Sequence, residues 1–258
     1  GAVPLNSESA APPVSFLAGC VINGRLQQPI GASAQVLSIV IPTLNAADEL
    51  AQTLDHLKGA GVAGEFIVAD GGSVDATPVI AAEAGVKFTA ETGGRGPQLV
   101  AGAEMATGSW LLFLHADTRP QPGWHHAVNV FMTDPQNRFR AAYFIFALND
   151  PAPGARRLEA LVRWRCRVFA LPYGDQGLLI SREFYDLLGG FYPLPLMEDV
   201  DMAGRIGRRR LKLLPVAAVT SAERYRKGGY WLRPARNLLC VGLFFVGFPP
   251  RLIGDLYQ

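Results

Sequence analysis

Acidic residues close three apolar runs in this chain. Asp70 ends Glu65-Phe66-Ile67-Val68-Ala69, Asp117 follows Trp110-Leu111-Leu112-Phe113-Leu114-His115-Ala116, and the pair Glu198-Asp199 follows Pro195-Leu196-Met197. The first two runs read as buried parallel strands, and the C-terminal ends of such strands form the crevice where α/β proteins bind ligands. Carboxylates at that place, with a further acidic pair beyond them, suit a nucleotide with a divalent metal and point to chemistry on a phosphorylated substrate.

The elements needed to hold those acids are legible as an alternation. A β-branched run over residues 36–41 predicts a strand stopped by Pro42, and Leu50, Leu54 and Leu57 give helical spacing over 48–57. The strand at 66–69 turns on Gly71-Gly72, with Ser73 as N-cap of a helix over 75–84, and a short strand follows at 86–89. Helices are expected over 95–107 and 123–132, and strands over 110–114 and 141–147. Beyond Asp150 the pattern loosens into an Arg-rich helix over 156–169, a strand over 177–180, a helix near 182–188 and another starting at Glu198. Short strands alternating with helices predict a mostly parallel sheet covered on both faces. Residues 1–35, rich in Ala, Pro, Ser and Gly, read as a flexible tail before a domain spanning 36–258.

Composition narrows the classes. A chain of 258 residues with 49% hydrophobic content can bury a full core, and a formal charge of +2 gives no bulk attraction to nucleic acid. Cys20, Cys166 and Cys240 are widely spaced, which argues against a disulfide framework or a zinc site and suits a reducing cytoplasm. Leu17-Ala18-Gly19-Cys20 matches a lipoprotein cleavage box only superficially, with no Lys or Arg before it. No run approaches the ~18 apolar residues of a membrane span. The longest, 238–248, has basic flanks at Arg233, Arg236 and Arg251, so burial against the sheet is the expectation and peripheral membrane contact through 233–251 the alternative. No P-loop, intact GxGxxG or HExxH pattern is present.

Six short segments, in order, resemble the family 2 nucleotide-sugar glycosyltransferases. They are Ile39-Val40-Ile41-Pro42-Thr43-Leu44-Asn45, Val68-Ala69-Asp70-Gly71-Gly72-Ser73-Val74-Asp75, Gly94-Arg95-Gly96, Leu112-Phe113-Leu114-His115-Ala116-Asp117, Gly174-Asp175-Gln176 and Met197-Glu198-Asp199. The His-Ala-Asp and Met-Glu-Asp forms are most similar to the bacterial radical-SAM/selenodomain-associated subgroup. The resemblance implies a single-domain GT-A Rossmann-like α/β/α sandwich, with 36–150 as its nucleotide-binding half and 151–258 as its acceptor-binding and catalytic half, and a cytoplasmic enzyme that moves a sugar, with inversion, from a nucleoside-diphosphate sugar to an acceptor hydroxyl. By the same resemblance Pro42, Leu44 and Asn45 hold the nucleoside, Asp70 with Gly71 meets the base, and Arg95 with Gln98 reaches base or pyrophosphate. Ala116 and Asp117 meet the ribose, and Asp117 carries the Mg²⁺ or Mn²⁺ that bridges the phosphates. Asp199 is the expected base with Glu198 beside it, and Asp175, Gln176 and Arg224 are acceptor-site candidates. A UDP-sugar is the favoured donor. The alternatives are a nucleotidyltransferase, whose Gly-rich, Lys-containing signature is missing after the first strand, and a non-catalytic nucleotide-sugar-binding protein.

Several residues carry a plainer expectation. His115 ends an apolar strand, where a hydrogen-bonded core histidine is the commoner role. Arg205, Arg208, Arg209 and Arg210 suit a solvated helix end. Arg224, Arg226 and Lys227, next to Gly228-Gly229, suit a mobile closing loop.

Overall fold

A run as apolar as residues 37–41 can be stable only where both of its faces are covered, and this strand lies in the interior of the sheet. It is β1 (Leu37–Thr43), all seven residues of which are buried. The computed structural model describes residues 36–230 and 232–257 and, within them, all side chains but those of residues 224, 227, 228, 232, 233, 251 and 255–257. Residues 1–35, with Cys20, lie outside the described residues.

After β1 come α1 (Ala47–Gly59), β2 (Gly64–Asp70), α2 (Thr77–Glu83), β3 (Lys87–Ala90), α3 (Arg95–Met105) and β4 (Trp110–Phe113). Then follow β5 (Thr118–Pro120), α4 (Trp124–Thr133), β6 (Ala141–Leu148), α5 (Pro153–Phe169), β7 (Leu178–Ser181), α6 (Arg182–Leu187) and α7 (Glu198–Ile206). The chain continues through β8 (Leu211–Thr220), α8 (Glu223–Gly228), α9 (Leu232–Phe245) and α10 (Pro250–Tyr257). The strand order is β3-β2-β1-β4-β7-β6-β8-β5. The first four strands run parallel, as do β6 and β8, whereas β7 is antiparallel to both its neighbours and β5 to β8. The sheet is thus mixed but mostly parallel, as expected for this α/β chain. Helices cover both faces: α1 and α4 bury Leu54 and Trp124 against Ile39, Ile41 and Phe144, while α3, α5 and α7 bury Leu99, Val162 and Met202 against Val40, Ile67 and Ala141.

Four local expectations need correction. Pro42 does not stop β1, because β4 ends opposite Val40 and leaves the strand unpaired on that side beyond it, where a residue without an N–H is tolerated. Ser73 does not cap α2: the N-cap is Ala76, and the Ser73 hydroxyl is committed to Asp70. Glu223–Gly228 is helical rather than a loop. The segment over 238–248 is not buried against the sheet. Cys240 and Val241 of α9 pack on Val200 of α7 and on Met197, its N-cap, while Leu238, Leu239, Phe245 and Val246 face outward. Strands β5 and β8 were not expected, since Pro120 and Pro215 break their patterns.

Two loops meet where the sheet's halves must cooperate. Gly94 adopts φ 107°, and a side chain on Gly94 or Gly96 would collide with the backbone of Leu194 and Pro195. Only residues without Cβ allow this approach, which the Gly96 N–H to Leu194 carbonyl bond of 3.0 Å closes. Gly96→Ala is therefore expected to cost about 1–3 kcal/mol by overpacking. Gly204→Ala, on an exposed turn of α7 with nothing near its Cβ, is expected to gain about 0.5–1 kcal/mol. Urea unfolding midpoints check both, and equal destabilisation by the two changes would refute the close-approach argument.

Candidate functional site

The C-terminal ends of β1, β2 and β4 open onto a cleft of about 430 Å³. Pro42, Leu44, Asn45, Gly71, Arg95, Gln98, Ala116 and Asp117 all line it. The expected donor residues from four separate segments are thus brought together, and Asp70 is the exception. Its side chain is buried under the cleft, where Oδ1 accepts from the Thr43 and Ser73 hydroxyls and Oδ2 from the Gly72 and Ser73 N–H groups. Burial disfavours its charge, but the donors from Ser73, Thr43 and Gly72 outweigh that and hold the carboxyl below its ordinary range. Asp70 shapes the turn whose Gly71 reaches the cleft wall. Gly71 in turn leaves room for the Gln98 amide, which donates to the Thr43 carbonyl at 2.8 Å. Asn45, at φ 49°, clasps the same turn by accepting from the Val74 N–H.

The cleft continues into two small pockets of about 40 Å³ each, which share Arg95, Tyr173, Glu198 and Asp199. Arg95 lines the cleft and both pockets. At the start of α7, Glu198 has a side chain only 1% exposed, with Oε1 3.4 Å from the Arg95 guanidinium. Burial lifts its carboxyl well above the ordinary carboxylate range, Arg95 opposes the rise and the charge of Asp199 adds to it. Asp199 is half-buried and aimed by two backbone donors, the Gly174 N–H to Oδ2 and the Val200 N–H to Oδ1, each 2.8 Å.

Asp175 sits among these acids. Its Oδ1 is sealed from solvent with no hydrogen-bond partner among the described residues. Burial pushes its carboxyl up to about 6, against Arg165 and Arg95 and with the charges of Asp199 and Asp117. The charges of Asp199 and Asp117 thus both reach Asp175 across the strand ends. Gln176, expected to face an acceptor, instead turns into the core, where its amide donates to the Phe144 carbonyl at 3.1 Å and its oxygen accepts from Cys166 and Arg165. Arg224 lies in α8, and its side chain is outside the described residues. His115 is not a core residue but half-buried in the cleft wall against Gly174. No group of three or more His, Cys, Asp or Glu residues able to hold a metal occurs among the described residues. Asp201 and Arg205 do pair, and Arg205 also bonds the Leu188 and Gly190 carbonyls.

Sequence reasoning missed Thr43, Asp48, Glu49, Ser221 and Glu223 in the cleft wall. Ser221 and Glu223 follow β8, so they could not be placed without that strand. Arg165, which stacks 3.4 Å from the Tyr173 ring centre, was one of several arginines on α5, and no local signal separates it from the rest.

Residues 38–139 match the family model described as Glycosyl transferase family 2. No curated protein sequence gives a significant match. Among solved structures, glucosyl-3-phosphoglycerate synthase from Mycobacterium tuberculosis, in complex with Mn²⁺, UDP and phosphoglyceric acid, is 18% identical with a TM-score of 0.56, over 84% of this chain and 80% of that one. A mannosyltransferase from Pyrobaculum calidifontis, in complex with GDP-Man and Mn²⁺, is 21% identical with a TM-score of 0.58, over 78% of this chain and 59% of that one. The likeness to these structures shows an α/β fold of the GT-A type, and the match to the family 2 model is confined to residues 38–139, less than half of the chain.

The Asp175 titration has a definite sign. Its folded-state value lies above the ~3.9 of a free Asp, so the native state binds this proton more tightly than the unfolded chain. The contribution is fully present below about pH 4 and is lost as pH rises through about 6. Asp175→Asn is expected to raise the unfolding free energy near neutral pH by up to about 2–3 kcal/mol and to leave it nearly unchanged near pH 4. Urea unfolding at the two pH values checks this; a variant that is less stable at both would contradict the assignment.

Proposed function

We propose that this chain is an inverting, metal-dependent glycosyltransferase that moves a sugar from a nucleoside-diphosphate sugar, with UDP favoured as the nucleotide, to an acceptor hydroxyl. The observation that carries the reading is the meeting of a donor-sized cleft with the Asp117, Asp175 and Asp199 carboxylates and the Arg95 guanidinium. The structural neighbours, solved with UDP or GDP-Man and Mn²⁺, support it. The His115-Ala116-Asp117 and Met197-Glu198-Asp199 forms support the radical-SAM/selenodomain-associated subgroup.

Asp117 offers the cleft a hard oxygen donor. One carboxylate, completed by phosphate oxygens and water, fits the habit of Mg²⁺ or Mn²⁺ in nucleotide sites better than a cage of protein ligands would. When bound there, the ion supplies charge neutralisation for the departing diphosphate. The chain's own residues do the rest. Pro42, Leu44 and Asn45 border the nucleoside, and Arg95 stands where its charge meets the phosphates. Asp199, steadied by the Gly174 and Val200 N–H groups, retains lone pairs for the acceptor proton. As the acceptor oxygen bonds the anomeric carbon from the face opposite the diphosphate, Asp199 takes that proton and the sugar-phosphate bond breaks. Glu198 and Arg95 pair behind it and fix the helix start that presents Asp199.

Asp199→Asn is expected to lower transfer by about 10²–10⁴-fold while UDP affinity in calorimetry stays near that of the unmodified chain. Unchanged turnover would remove the base assignment, and pyrophosphate release from a nucleoside triphosphate would favour a nucleotidyltransferase instead. Asp117→Ala is expected to abolish the Mn²⁺-dependent part of UDP binding, and a metal effect that survives this change would relocate the metal.

Peripheral membrane contact through residues 233–251 belongs to the same reading. The outward-facing Leu238, Leu239, Phe245, Val246 and Phe248 support it, and no described helix is long and apolar enough to cross a membrane. Co-sedimentation with anionic vesicles, weakened by Leu238→Ser with Val246→Ser, is the expected result; recovery of the unmodified chain in the supernatant would refute the contact.

A further inference from the structure

The ladder between β6 and β8 is broken at one place. Tyr143 pairs with Leu213 and Ile145 with Ala217, so two steps along β6 are matched by four along β8. Pro215 lies inside the expansion, where it has no N–H to give to a ladder. The sheet and α5 part here around a cavity of about 470 Å³, comparable in size with the donor cleft. The pocket opens to solvent at Arg163, Arg167 and Leu213, and its volume falls within the range of small-molecule sites.

The lining divides by chemistry. Tyr143, Ile145, Phe146, Val162 and Leu213 supply apolar walls. Glu159 and Gln176 are already committed: Glu159 accepts from the Leu148 N–H and from Arg156, and Gln176 bridges Phe144, Cys166 and Arg165. Arg163 and Arg167, one turn apart on α5, border the cavity and reach solvent. Among the described residues nothing bonds or pairs with either guanidinium or with the Tyr143 hydroxyl. An apolar chamber flanked by two uncommitted cations matches an amphipathic anion, since a neutral or cationic guest leaves both charges unanswered.

We propose that this cavity binds a small amphipathic anion, with its apolar body on Tyr143, Ile145, Phe146, Val162 and Leu213 and its carboxylate or phosphate head on Arg163 and Arg167. The site lies on the α5 side of the sheet, behind Gln176, and its occupancy does not depend on the donor reading. Calorimetry on the full chain with decanoate and with decyl phosphate, below their micelle-forming concentrations, separates the two head groups; decyltrimethylammonium is the charge control. At least one anion is expected to bind saturably at one per chain, with or without UDP, and the cation not to bind. Arg163→Glu with Arg167→Glu, both exposed, is expected to weaken binding by about tenfold or more. Val162→Trp fills the chamber and is expected to abolish binding. Leu213→Trp, at a half-exposed strand position, tests the same point with less demand on the core. Absence of saturable binding by both anions, equal binding of the cation, or unmodified affinity in the charge-reversed or the Leu213→Trp protein would overturn the proposal. A protein that takes the amphiphile yet fails to bind UDP would refute the donor site and leave this one standing.

Discussion

A carboxylate as enclosed as Glu198 must have a cation beside it or give up its charge, and the cation it has comes from the other half of the chain. Arg95 begins α3 and Glu198 begins α7, about a hundred residues later. Their meeting depends on the backbone contact of Gly94 and Gly96 with Leu194 and Pro195, since any side chain there would hold the loops apart. Once the loops touch, the N-terminus of α7 is fixed beside the donor cleft. Asp199 then lies within reach of the Gly174 N–H, so residues of both halves of the chain line the same pockets.

The arrangement also explains why acids can crowd here. Asp117 lies in the turn between β4 and β5, Asp175 in the turn before β7 and Asp199 on α7, and β4 and β7 are antiparallel neighbours. The strand-end crevice of the parallel block and the turn before β7 are therefore at the same edge of the sheet. Burial, with the charges of Asp199 and Asp117, raises Asp175 while Arg165 and Arg95 restrain the rise. The arginines offset the crowding of acids only in part, since the Asp175 carboxyl remains raised, and a cation or an incoming proton would relieve the rest.

The parallel block was legible because its strands are near-continuous apolar runs and its helices keep a clean period, as in Leu50, Leu54 and Leu57. Asp117 and Asp199 were legible as cleft residues because strand ends and helix starts are where such folds place ligands. Asp70 shows the limit of that rule. Position put it at a strand end, but four donors draw the side chain under the turn, three of them from Gly72 and Ser73 in the same Asp-Gly-Gly turn, whose Asp can bond its own backbone, and one from Thr43 on β1. Gln176 failed because its partners on β6 and α5 are visible only once those elements are packed. The half beyond Asp150 was hardest because β8 hides behind Pro215, and α9 could be judged buried by its apolarity alone.

Pro215 gives that blind spot a physical meaning. A proline inside a sequence segment argues against a strand, and the chain resolves the conflict by bulging β8 rather than ending it. The bulge lets β8 continue to Thr220, whose hydroxyl meets that of Thr118 at 2.9 Å. Ser221 and Glu223, immediately beyond, then reach the donor cleft. Without the extra residues β8 could still pair along β6, but its side chains would be offset against Ile145, Phe146 and Leu148. The same irregularity that hides the strand from sequence patterning thus sets the register of its far end and opens the space under α5.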